Sequence, residues 1–292
     1  MRRALIVVAV VLAPGTGWCQ KHRLQESWIA VTSYNLPEVR AHLEGKRGTV
    51  LSVADKSRLL SVLASKGQHS ADMTKWRAVA DLLLQHGAQI NESGTEGVAT
   101  ALASASIKWS DQFVAYLLSK GADPNAGKLG DPSYVPLPAA LISQSADQRI
   151  PRFKSGKNYE TGETAAQMLG RFRRTVSLLL DAGADSMRPG YYGKIPFQRA
   201  CYWGETEMVR HMVRKGARPN VAGPSAPGGF YGSSGYTALH CAVLRDSADN
   251  AATVRLLLAS GADRNAKDDL GRTPLQLARH KGNRLVAKAL GG

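Results

Sequence analysis

Histidine and cysteine are the side chains best suited to hold a metal or to attack an electrophile, and this 292-residue chain has seven of the first and three of the second. No two histidines stand as H-x-x-x-H, the spacing that turns both imidazoles toward one ion from one helix face, and no cysteines stand as C-x-x-C. No Cys-His cluster has metal-ligand spacing either. A G-x-S-x-G nucleophile elbow is absent, and Gly190-Tyr-Tyr-Gly193-Lys194 is two residues too short for a G-x-x-x-x-G-K phosphate loop. The reading is therefore of a chain with no catalytic residues, no metal and no cofactor, and the remaining question is what the scaffold presents.

The scaffold is basic and apolar enough to fold. Lys and Arg number 38 against 23 Asp and Glu, a net charge of +15, and 43% of residues are hydrophobic but only 7% aromatic. Such a composition builds a core from small aliphatic side chains and excludes disorder for most of the length. At the N-terminus, Arg2 and Arg3 precede the apolar run Ala4 to Ala13 and then Pro14, Gly15, Thr16 and Gly17. That order is expected of a secretory signal peptide within residues 1–19, since ten apolar residues are too few to cross the bilayer; a retained anchor is the alternative. Cleavage after Gly17 or Cys19 is expected, with export to the periplasm; a lipoprotein anchored through Cys19, or secretion, are alternatives, although Trp18 sits where lipidation wants a small residue. Loss of Arg2 and Arg3 leaves 36 basic against 23 acidic residues, +13.

From there the chain repeats itself. A Gly-Ala pair recurs at Gly87, Gly121, Gly183, Gly216 and Gly261, with spacings of 34, 62, 33 and 45, two near 33 and two equal to 33 plus insertions of 29 and 12. Thr100-Ala-Leu-Ala-Ser-Ala105 and Ile195-Pro-Phe-Gln-Arg-Ala200 each stand 21 residues before such a pair. Thr237-Ala-Leu-His-Cys-Ala242 stands 24 before, which implies three extra residues around Asp246 to Ala251, and Thr273-Pro-Leu-Gln-Leu-Ala278 opens a last unit. On these motifs the chain resembles the ankyrin-repeat family. Degenerate copies are Val135-Pro-Leu-Pro-Ala-Ala140 and a weak helix start near Ser57, with Trp28 to Leu43 as an entry repeat whose second helix begins at Leu36-Pro-Glu-Val. The expected fold is all-α: one solenoid domain over 20–292, about seven helix-pair repeats with short finger loops.

Elementary chemistry explains the motif. Thr before the first turn caps exposed amides, Pro in that turn wastes no N–H, and Gly after the second helix adopts the left-handed stop. A single pair cannot bury its apolar face, so neighbours must stack. Two insertions depart from the pattern, one near 144–163 and one near 223–235. The first carries Arg149, Arg152, Lys154 and Lys157 and ends where Thr164 and Gln167 have capping-box spacing for an early second helix. It reads equally as a functional or a solvated loop. The Gly-, Ser- and Pro-rich second insertion is expected to need a partner to fix its shape.

The resemblance further implies that partners are gripped by finger tips and the exposed ends of first helices. That register selects Tyr191, Tyr192 and Lys194, then Tyr202 and Trp203, with Tyr134 on one side and Tyr236, Arg245, Arg272, His280 and Lys281 on the other. Rings among cations have the composition of binding hot spots, and the alternative is that some of them fill gaps beneath the insertions. His240, at the family's signature histidine, is expected to make a structural hydrogen bond between repeats. Cys201 and Cys241 are expected as buried free thiols. Basicity suggests nucleic acid, but export and the absence of a nucleic-acid module favour an acidic protein partner or, without integration, a membrane surface. Exported bacterial proteins of this kind include immunity proteins that neutralise antibacterial toxins such as type VI secretion lipase effectors. An accessory or protective factor for a periplasmic enzyme is the second role the resemblance allows.

Overall fold

The computed structural model describes residues 17–48, 50–66, 73–92, 99–127, 135–142, 163–190, 193–223 and 235–291, with side chains from Gln25 onward. Fourteen helices lie among these residues: α1 (Gly17–Thr32), α2 (Leu36–Leu43), α3 (Val53–Lys66), α4 (Met73–Gln85), α5 (Ala101–Ile107), α6 (Asp111–Ser119), α7 (Pro136–Ile142), α8 (Ala165–Asp181), α9 (Pro196–Trp203), α10 (Thr206–Arg214), α11 (Ala238–Ala242), α12 (Ala248–Ala259), α13 (Pro274–His280) and α14 (Arg284–Ala289). Each odd-numbered helix packs on the even-numbered one that follows it, and first helices pack on the first helices of neighbouring repeats. The result is the expected solenoid of seven pairs. The apolar leader through Thr16, most of the first insertion (Gln144 to Gly162) and residues 224–234 of the second lie outside the described residues.

The starts of the helices follow from the motif chemistry. The Thr100 hydroxyl accepts the Ala103 amide at 3.2 Å. Thr164 with Gln167 and Thr273 with Gln276 close reciprocal boxes. The early start of α8 is thus as the Thr164–Gln167 spacing implies, and it gives that helix 17 residues. The start of α3 differs from the expectation near Ser57. Ser52 and Asp55 cap each other's amides at 3.1 Å, so α3 begins at Val53. Ser57 lies one turn inside, buried, and its hydroxyl accepts the Gln89 amide of the following finger at 2.9 Å.

The three extra residues of the sixth repeat fall in the expected stretch and are helical. α12 has 12 residues where α6 and α10 have nine. The added first turn carries Asn250, whose amide donates to the carbonyls of Cys201, Tyr202 and Ala242 at 3.3, 3.1 and 3.0 Å. One side chain therefore ties together the last turns of two neighbouring first helices, where helix-end carbonyls lack a full set of intrahelical partners.

A continuous core runs along the stack. Trp76 lies against Phe113 with ring centroids 4.3 Å apart and meets Tyr116 edge-on at 5.3 Å. Trp109 donates its indole N–H to Ala140 at 3.0 Å and packs on Phe172, so the third and fourth repeats share a ring as well as a hydrogen bond.

Two glycines separate backbone cost from packing cost. Gly121 ends α6 with φ +86°, and a Cβ there would meet nothing within 4 Å. Gly204, between α9 and α10, has φ +71°, and a Cβ there would stand 3.0 Å from the Asn250 amide and 3.1 Å from the Asp249 Cβ. Gly121→Ala is expected to cost about 1–2 kcal/mol, the left-handed penalty alone. Gly204→Ala should cost more because it also displaces the first turn of α12. Urea denaturation of the two variants measures the difference, and equal losses would show that Asn250 is not fixed there.

Candidate functional site

The residues singled out for binding separate into two rows at opposite ends of the first helices. At the turn end, Tyr202 and Trp203 close α9, Arg245 follows α11, and His280 and Lys281 close α13. At the finger end stand Lys194, Tyr236 and Arg272, each just before a first helix. Tyr191 and Tyr192, with Tyr134, lie outside the described residues.

The turn-end row is built around one cation. Tyr202 and Trp203 meet edge to face at 5.0 Å, and the Arg245 guanidinium lies 4.6 Å from the Trp203 ring centre and 5.6 Å from that of Tyr202. Both rings are half-buried, so they anchor the cation as well as offer a surface. His280 and Lys281 are exposed one repeat further on. Sequence reasoning selected these residues separately; the stacking of Arg245 over its neighbours' rings depends on the short α11 and could not be read from spacing.

The finger-end row is packed more tightly. Tyr236 is buried, 5% exposed, a correction to its expected place on an open surface. Its ring stacks on His240 at 5.4 Å and 10°, and its hydroxyl accepts from the Arg272 guanidinium at 3.3 Å. Arg272 also pairs with Asp268 at 2.8 Å. Burial pushes the Asp268 carboxyl up, but the backbone amides of Arg272 and Leu270 and the Arg272 guanidinium outweigh it and hold the group below its ordinary value. Lys194 is half-buried, and its ammonium is lowered first by burial and then by the charge of Arg199. Arg199, 5% exposed inside α9, is a buried cation that the motif register passed over.

His240 makes the inter-repeat bond expected of it. Nδ1 accepts the Thr237 amide at 3.3 Å, which fixes the proton on Nε2, and Nε2–H donates to the Arg272 carbonyl of the next finger at 2.9 Å. Cys201 and Cys241 are free, fully buried thiols, and burial pushes both above the ordinary cysteine range. Neither is placed to attack anything.

A groove of about 750 Å³ opens on the second-helix side. Arg173, Val176 and Leu180 of α8 form one wall, Met208, His211 and Arg214 of α10 the other, and Trp203 to Glu205 reach into it. The motif gave no signal for it, because second helices carry only a broad apolar pattern.

Comparison with known proteins agrees with this geometry. An ankyrin-repeat family model matches residues 234–269. Over 135 residues, 46% of this chain and 94% of the relative, the chain is 29% identical to the cyclin-dependent kinase 4 inhibitor B of Rattus norvegicus. Over 132 residues it is 30% identical to the transient receptor potential cation channel subfamily A member 1 homolog of Caenorhabditis elegans, of which it spans only 10%. The solved ankyrin repeat domain of Acinetobacter baumannii AYE superposes with a TM-score of 0.55 at 25% identity, covering 79% of this chain and 95% of that one. That of Bcl-3 gives 0.58 at 25%, covering 91% and 98%. The fold is that of ankyrin-repeat domains.

The burial of His240 sets a pH dependence. Its pKa is lowered, chiefly by burial, from an ordinary value of 6.5. The folded state therefore binds the proton more weakly than the unfolded chain, and this contribution to stability is complete above about pH 6.5 and declines as pH falls below it. His240→Gln keeps a capping side chain of the kind Gln276 already provides but cannot titrate. The melting temperature of the wild type should fall more steeply than that of the variant between pH 7 and 5, and parallel curves would refute the assignment.

Proposed function

We propose that this chain is a non-catalytic protein-binding module that acts in the cell envelope, and that its role is to hold and neutralise an antibacterial toxin such as a type VI secretion lipase effector. The observation that carries the binding reading is the turn-end row, in which Arg245, held over Tyr202 and Trp203, continues into the exposed His280 and Lys281 on three successive repeats. A rigid aromatic–cation surface loses little freedom on association, and hot-spot energy concentrates in such residues. The excess of basic residues, 36 against 23 or +13 without Arg2 and Arg3, favours an acidic partner through faster encounter. The likeness to a protein named as a kinase inhibitor adds an example in which a chain of this kind bears the name of an enzyme it inhibits. Export rests on the Arg2–Arg3 and apolar leader.

An accessory factor for a periplasmic enzyme is the alternative, and the gene beside this one separates the two. The product of that gene should be bound by the purified chain; loss of its toxicity on co-expression supports neutralisation, and retained activity supports the accessory role. With that partner in hand, Arg245→Glu combined with Lys281→Glu is expected to slow association about tenfold at low salt, while dissociation changes less. An on-rate indifferent to both substitutions and to salt would contradict the assignment of this row.

A further inference from the structure

The bases of the fingers are tied together by a single side chain per repeat. Four residues after each recurring glycine stand Asn91, Asn125, Met187, Asn220 and Asn265. Asn91, Asn125 and Asn220 accept the backbone amides of Asp123, Asp185 and Asp263 in the following fingers at 2.8, 2.8 and 2.7 Å. Asn125 and Asn220 also donate to the carbonyls of Gly183 and Gly261 at 2.9 and 3.0 Å. Among the described residues, no finger follows that of Asn265. Met187 is the exception. A thioether has no N–H to give and accepts only weakly, so the Arg218 amide, two residues after Gly216, faces no carboxamide.

The same junction differs in two further respects. Beside the backbone bond from the Phe197 amide to the Ser186 carbonyl at 3.0 Å, its side-chain cross-links include exposed ion pairs: Asp181 with His211 at 3.0 Å and Lys215 at 3.3 Å, and Arg173 with Glu205 at 2.9 Å. Asp181 is 63% exposed, where screening by solvent and salt makes such pairs weak. The second difference is the groove itself, which opens between α8 and α10, the second helices of the fourth and fifth repeats, and is bordered on its far side by Asp249 and Ala252 of α12. The junctions on either side instead combine ladder asparagines with bonds to backbone, such as Asn250 to Cys201 and Trp109 to Ala140.

We infer that the junction between the fourth and fifth repeats is more weakly coupled than the junctions on either side of it and divides the array into two blocks, repeats one to four and five to seven. In a linear array each repeat is stabilised only by its neighbours, so cooperativity breaks where one interface is weakest. The array opens there before either block unfolds, from the second-helix side, with the Gly190 backbone still lying against Pro138 on the finger side.

Site-resolved amide hydrogen exchange on the full chain tests this. In the wild type the protection factor of the Arg218 amide should be at least threefold below those of the Asp123, Asp185 and Asp263 amides. Met187→Asn should raise it roughly three- to tenfold, the range one net hydrogen bond supplies, whereas Met187→Ala should leave it unchanged. Protection of Arg218 equal to that of the three aspartate amides in the wild type overturns the inference whatever the variants do. So does an Arg218 amide that Met187→Asn, once folded, fails to protect.

Discussion

A pair of short helices joined by a turn exposes as much apolar surface as it covers, and everything in this structure follows from the need to place a second pair against it. The buried residues form one core from Ala30 to Leu290, in which no repeat is self-sufficient. Stacking fixes the edges too. Helix ends and finger bases carry backbone groups that no intrahelical partner can satisfy, and neighbouring repeats supply the missing side chains. His240 reaches the Arg272 carbonyl, Asn283 the Val243 carbonyl, and Asp246 the first amides of α14. Contacts of this kind between neighbouring repeats make the array quasi-one-dimensional and preorganise the surface where they occur.

That preorganisation is what the proposed function uses. Contact residues already held in place need not be ordered when a partner arrives, and Arg245 is held by two rings before any partner is present. The thiols of Cys201 and Cys241 are sealed in the core, and His240 is committed at both ring nitrogens to structural bonds.

Much of this was legible in the residues. Gly-Ala spacing locates the repeats because a left-handed stop requires glycine there, and the Thr164–Gln167 pair announces the early start of α8 because capping is a local interaction. The start of α3 was present in Ser52 and Asp55 but masked by the degenerate motif around Ser57. The harder cases depend on neighbours. Whether Tyr236 is exposed is decided by His240 and Arg272, 4 and 36 residues away, and whether Asn250 is a surface or a buried residue depends on Cys201 and Tyr202 in another repeat. Periodicity reports which face of a helix is apolar, not which side chain of the next repeat will cover it.

The central claim is that neighbouring repeats are coupled by individual side chains reaching backbone groups, and Asn125 offers the most direct test, since it bonds both the Gly183 carbonyl and the Asp185 amide. Hydrogen exchange on Asn125→Ala should show lost protection at Asp185 and the adjoining third and fourth repeats, with the Asp263 amide unchanged. A loss of protection spread evenly from α1 to α14 would contradict the account.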